Sequence, residues 1–390
     1  MLVLVKWCLK SCYWNGRFSG VLNFEADFKT GQMVATKRST IFSAFSHLLM
    51  FTLLIYHTLR THTVTTMWKY ANSLHEYVFM VIAGFRLICV FLALVSRWTQ
   101  RRTFMRMLKS FWILYKKNPE IIQCCQRSIL SKFCCVTMAE IFQVIVTFVL
   151  IRNKINFATG LRLWAVLSLT AVINVIIMQY FIAMASIRGR YILLNRDLRM
   201  IVAETRSLNP NRSGVFVTRC CCLADRLEEI AISQSGLQKL IEQLSEAYQG
   251  QVVCLVIGYY LNMVASGYIL FSITKYKGLS DNSPLIVTIC SIAYFVFYYL
   301  DCCLNSLNIF YLLDEHDKMV RLLDQRTLFQ PGLDHRLETV FESFVLNLSR
   351  NPLKLSFFGL FQIDRVSSFA LGNSILTHSL LLIQYDVEHF

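Results

Sequence analysis

Seven runs of about 20 mostly apolar residues constrain this chain more than any other feature, because each is long enough to cross roughly 30 Å of hydrocarbon as a helix. They are Ser39–Leu59, Leu74–Ser96, Phe133–Ile151, Trp164–Ile187, Gln251–Thr274, Pro284–Leu312 and Ser367–Asp386. A backbone in lipid must satisfy its own hydrogen bonds, so each run is expected as a helix. The seventh is the least apolar, with Asn373, Thr377, His378 and Gln384 inside it. Composition agrees with a membrane protein: 55% of the 390 residues are hydrophobic and only 16% are charged, against roughly 25% charged in soluble domains. The expected fold class is all-α, a polytopic membrane protein with seven transmembrane helices plus a cytoplasmic helical bundle.

Lys and Arg set the orientation, since they concentrate on the cytoplasmic side. Of 39 such residues, 31 lie before the first run or after the second, fourth and sixth; only seven lie in the other connections, and Arg86 lies within the second run. The N-terminus is therefore expected inside and the C-terminus outside. This divides the chain into a cytoplasmic segment 1–38, spans one to four over 39–187 and a cytoplasmic helical connection 188–250. Spans five and six follow over 251–312, then a second cytoplasmic connection 313–366, a last span 367–386 and an extracellular tail 387–390. The net charge of +15 is accounted for by this asymmetry, and nucleic acid is not expected as a partner.

The topology is the reverse of a G-protein-coupled receptor. No Asn-Pro-x-x-Tyr occurs in the last run and no Asp-Arg-Tyr-like triplet ends the third. A secondary transporter commonly shows repeats and Gly/Pro-broken spans, and neither occurs. None of the 14 cysteines lies in an outside connection, and Cys124-Cys125, Cys134-Cys135 and Cys220-Cys221-Cys222 lack zinc-ligand spacing with His. The triplet's juxtamembrane position leaves palmitoylation open. The Asn211 and Asn347 sequons fall on the inner side, where glycans are not added. Phosphate loops, nucleophile elbows and His-Glu-x-x-His helices are lacking, so no enzyme, metal or cofactor is expected.

The long inner connections read as helices. Leu223, Leu227, Ile230, Gln234, Leu237, Ile241 and Leu244 step by 4 and 3, a heptad seam with one polar position. Two readings stay open: a helix packed on its own chain, or one that contacts another subunit. Leu337, Val340, Phe341, Phe344 and Val345 repeat similarly, with Asp334 placed to cap that helix.

The C-terminal stretch has a more specific pattern. Leu360-Phe361-Gln362-Ile363-Asp364 is followed by Thr377-His378, five residues Ser379 to Ile383, and Gln384-Tyr385. This resembles the C-terminal signature of insect gustatory receptors, in which a Leu-Phe-x-Leu-Asp-like stretch precedes Thr-Tyr, five hydrophobic residues and Gln-Phe. His378 stands for the usual Tyr and Tyr385 for the usual Phe. An odorant receptor of the same superfamily is the nearest alternative. The resemblance implies a tastant-gated, non-selective cation channel in a sensory neuron's plasma membrane, assembled with lipid around it as a homo- or heterotetramer with related receptors. The last span of each subunit would line a central pore, and spans one to six would surround a ligand pocket.

Within that frame the last run is legible. Thr377, Leu381, Gln384 and Glu388 step by 4, 3 and 4 and share one helical face. Polar groups in a bilayer face protein or water, so this face is expected at a pore or, alternatively, in hydrogen bonds between helices of one subunit. Gln384 and Tyr385 occupy the family's gate position, with Asp386 and Glu388 just outside, where rings of acids favour cations. Candidate ligand-binding residues are Glu76, Tyr77, Gln143, Trp164, Tyr268 and Tyr294, the aromatics among them having interfacial anchoring as the competing role. Arg86 and Glu140 lie nearer mid-membrane, where a charge reads as functional, and their opposite charges suit them to pair with each other; Asp301, towards the inner end of the sixth run, is expected to cap or pair locally.

Overall fold

The computed structural model describes residues 2–60, 72–151, 157–208, 214–275, 285–329, 332–359 and 361–389. Pro284, Asn211 and Leu360, singled out above, lie outside the described residues, as does the end of the tail at Phe390. The helices are α1 (Leu2–Phe18), α2 (Lys37–Arg60), α3 (Ser73–Thr99), α4 (Arg101–Lys117), α5 (Ile121–Ile151), α6 (Phe157–Ser207), α7 (Gly214–Lys275), α8 (Leu285–Asp324), α9 (His335–Arg350) and α10 (Arg365–His389). Among the described residues, Pro119 and Pro352 both lie outside these helices, as expected of a residue that breaks the helical ladder. Among the described residues seven helices, α2, α3, α5, α6, α7, α8 and α10, are long and apolar enough to cross a membrane. They coincide with the seven runs.

The helices overrun the runs that announced them. α6 has 51 residues and α7 has 62, roughly 75 and 90 Å at 1.5 Å per residue. Residues 188–207 and 214–250 are therefore the extensions of two spans rather than separate helices. The period-3.6 pattern persists past the apolar stretch, so the helical ladder continues although the hydropathy drops. All seven seam residues, Gln234 included, are buried. They pack within the chain, in one core with Leu194, Leu198 and Ile201 of α6 and Leu337, Phe341 and Phe344 of α9. The seam thus closes on its own chain. The Asp334 carboxylate accepts from the Arg336 backbone N–H at 3.0 Å and so caps α9.

Two hairpins interrupt the helical pattern. β1 (Glu25–Asp27) pairs antiparallel with β2 (Gln32–Val34), and β3 (Ser356–Phe357) with β4 (Phe361–Gln362). Their strands are too short for a period-2 signal in the sequence. Gly31 in the first turn has φ +74°, and a Cβ there would sit 2.6 Å from the Trp112 ring, so this position requires glycine.

Helices α5, α6 and α8 pack tightly on one another, and α7 joins α6, α3 and α9. α10 packs chiefly on α7. Among its described residues only Ser379 and Asp386 are buried, whereas half of the α6 span is. The 14 cysteines are all free.

Candidate functional site

Two places concentrate polar groups within the membrane-spanning helices: a cavity among α3, α5, α6, α7 and α8, and the largely uncovered last helix.

The cavity has a volume of about 90 Å³, room for several waters at the roughly 10–15 Å³ that one requires. Its walls are mostly apolar, with Arg86 from α3, Glu140 and Gln143 from α5, Asn174 from α6, Asn262 from α7 and Tyr294 from α8 supplying polar groups. Arg86 and Glu140 do not pair. The Arg86 guanidinium donates to Asn262 Oδ1 at 2.8 Å, and Asn174 Nδ2 donates to Glu140 Oε1 at 2.8 Å. Each charge is held by a neutral amide and still faces the cavity. Gln143 donates to Thr170 Oγ1 at 3.4 Å.

At one end of this cavity lies a buried ion pair. Lys132 Nζ of α5 meets Asp301 Oδ1 of α8 at 2.5 Å, and both side chains are buried. Tyr259 of α7 donates its hydroxyl to the other Asp301 oxygen at 2.8 Å, and Asn305 donates to Tyr259 at 2.9 Å. Asp301 had an expected local partner; Lys132 reads as a loop lysine because the apolar run begins at Phe133, yet α5 begins at Ile121. A lone acid within an apolar run was the available signal, since such an acid requires a cation.

Of the six ligand candidates, Gln143 and Tyr294 line the cavity and four do not. Glu76 lies in the first turn of α3, where the helix dipole favours an acid. Tyr77 is exposed. Trp164 packs against the main core. Tyr268 is fully buried and donates to Asp386 Oδ1 at 3.1 Å.

That bond belongs to a network at the far end of the bundle. Asp386 of α10 is buried, accepts from Asn72 Nδ2 at 2.6 Å and pairs with Lys275 of α7 at 3.0 Å. Asp386 is thus turned into its own subunit. Ser379, seven residues earlier, is buried on the same stripe and donates to the Val264 carbonyl at 3.4 Å. Thr377, Leu381, Gln384 and Glu388 each lie two residues from one of these, hence on the opposite face of the helix. All four are exposed, and so is Tyr385, whose ring stacks on His389 at 4.2 Å. His378 lies 2.9 Å from the Tyr260 hydroxyl of α7.

The start of α10 is fixed by Asp364. Its carboxylate accepts from the Ser367 backbone N–H and hydroxyl, both at 2.7 Å, and Ser367 Oγ accepts from the Asp364 N–H at 3.2 Å. These bonds to Ser367 hold the Asp364 carboxyl below its ordinary value.

Candidate membrane-spanning helices that enclose a polar cavity make the chain a polytopic membrane protein. The sequence profile of the 7tm chemosensory receptor family matches residues 9–389, and the chain belongs to that family. Within it the chain is similar to insect gustatory receptors: it is 63% identical over 390 residues to gustatory receptor 59d of Drosophila melanogaster, covering 100% of both chains. The structure is similar to that of the insect olfactory receptor OR5 from Machilis hrabei, with TM-score 0.67 at 12% identity over 98% of this chain and 99% of that one. The same receptor in complex with eugenol gives a TM-score of 0.63 over the same shares. The chain is a multi-pass plasma-membrane protein and a chemoreceptor of the insect seven-span superfamily.

Proposed function

We propose that the chain is a tastant-gated, non-selective cation channel, assembled as a homo- or heterotetramer with related receptors. One observation carries the reading: α10 leaves the Thr377, Leu381, Gln384 and Glu388 face uncovered. A polar face toward lipid is unfavourable, so copies meeting on this face relieve it and enclose a water-filled path. Gln384 and Tyr385 form the gate of that path, and Glu388 its acidic outer ring. Asp386 serves the pore indirectly, by fastening α10 to α7.

The ligand enters the cavity lined by Arg86, Glu140, Gln143 and Tyr294. The eugenol complex of the like-folded olfactory receptor supports a small-molecule ligand. The basic connections support an inside N-terminus and an outside C-terminus, with the α6, α7 and α9 bundle in the cytoplasm.

The test is whole-cell current from cells expressing the chain, alone and with related receptors, under a panel of tastants with G-protein signalling blocked. A ligand-evoked cation current altered by Gln384→Ala supports the reading. A response abolished by the G-protein block overturns it.

A further inference from the structure

We propose that a groove bounded by α1, the β1–β2 hairpin, α4 and α6 binds an acidic phospholipid of the leaflet at the basic end of the bundle. The groove has a volume of about 880 Å³, and Leu22, Met107, Phe111 and Ala183 give it an apolar floor. Lys6, Lys10, Arg17 and Lys29 also line it. The nearby acids are already engaged. Glu25 pairs with Arg17 at 2.8 Å, and Asp27 accepts from the Lys29 backbone N–H at 2.9 Å and the Thr30 hydroxyl at 2.8 Å. Lys6, Lys10 and Lys29 are exposed; Lys29 lies in the field of Asp27, whereas Lys6 and Lys10 have no ion pair with an acid among the described residues. Uncommitted ammonium groups around an apolar slot match a ligand with a negative head and a hydrocarbon tail. A free phosphate would leave the slot unfilled.

The surface of α1 puts this groove in the bilayer interface. Val3, Trp7, Trp14 and Phe18 step by 4, 7 and 4, so they share one face, and all are more than half exposed. Lys6, Lys10 and Arg17 step by 4 and 7 beside it. Val5, Cys8 and Cys12, on the other side, are buried. A helix with an aromatic face beside a basic stripe lies flat at the headgroup level, held by apolar burial and by anionic lipid. The excess of Lys and Arg at this end matches the inner leaflet, which carries the acidic lipids. Gln179 Oε1, buried at the groove wall, has no donor among the described residues; a headgroup ammonium or hydroxyl supplies one. Tyr248 lines both the groove and the polar cavity, so lipid and ligand share a wall.

The test is native mass spectrometry of the full-length receptor in detergent, titrated with phosphatidylserine or phosphatidylcholine. The expected result is a saturable site for phosphatidylserine that phosphatidylcholine does not fill. A Lys6→Gln, Lys10→Gln double variant should bind about 30-fold more weakly, from the contribution of each basic residue near a lipid surface. Both lysines are exposed, so folding should be preserved, and Lys37→Gln, away from the groove, should bind as the parent does. Equal retention of the two lipids, or unchanged phosphatidylserine binding in the double variant, overturns the proposal.

Discussion

The seam of α7 and the Thr377 to Glu388 face of α10 are both helical surfaces with a regular spacing, yet the chain treats them oppositely. Leu223 to Leu244 is covered completely by α6 and α9, and its one polar residue, Gln234, is buried with the rest. The Thr377 to Glu388 face is left bare. The contrast teaches that a heptad seam does not by itself announce a partner subunit. On the channel reading proposed above, the partner-facing surface is instead a face the chain leaves uncovered although its polar groups disfavour lipid.

Substitutions in the closed interior should move stability, and those on the open face should not. The largest effect is expected at Lys132→Met, which strands the buried Asp301 carboxylate: a loss of about 3–5 kcal/mol, read as thermal unfolding of the purified protein. Restoring neutrality with Asp301→Leu in the same chain should recover most of it. Leu227→Ala in the seam should cost about 2–5 kcal/mol through its cavity, while Leu381→Ala should stay within about 0.5 kcal/mol. Equal losses at the two leucines would erase the contrast.

Asp386→Ala tests the buried stripe of α10 that faces α7. It removes hydrogen bonds to a charged group, and a loss of about 1–3 kcal/mol is expected, together with faster amide exchange confined to α10. Exchange spread evenly over the bundle would show that Asp386 does not fasten that helix locally.

The smallest effect is expected at Asp364. Its depressed carboxyl adds stability above the unfolded carboxylate value near 3.9, and that stability falls away only as pH drops through the lower folded value. Amide exchange at the start of α10 should therefore be independent of Asp364 ionisation between pH 5 and 8 and faster in Asp364→Ala. The Asp364→Ser variant should retain the cap, because a serine hydroxyl accepts from the same backbone donors.

The seven spans, the seam and the open face were all legible in the sequence, because hydropathy and helical period are local signals. The polar pairings were not. Lys132 and Asp301 lie 169 residues apart, and Arg86 and Asn262 lie 176 apart; nothing local links them. Arg86 and Glu140 were expected to meet because their charges are complementary, but each found a nearer amide on α7 or α6. Asp386 read as a pore acid because it adjoins Gln384. One residue along a helix is about 100° of rotation, so neighbours in sequence can face different surroundings, and Asp386 turns inward to Lys275.

The most direct test of the open-face account is cysteine substitution along α10 with a membrane-impermeant thiol reagent applied outside during ligand-evoked current. No native cysteine lies in this helix. Modification at Thr377, Gln384 and Glu388 should block the current, while Ser379→Cys, on the buried stripe, should be insensitive. Block at Ser379 with insensitivity at Gln384 and Glu388 would contradict a pore lined by the uncovered face.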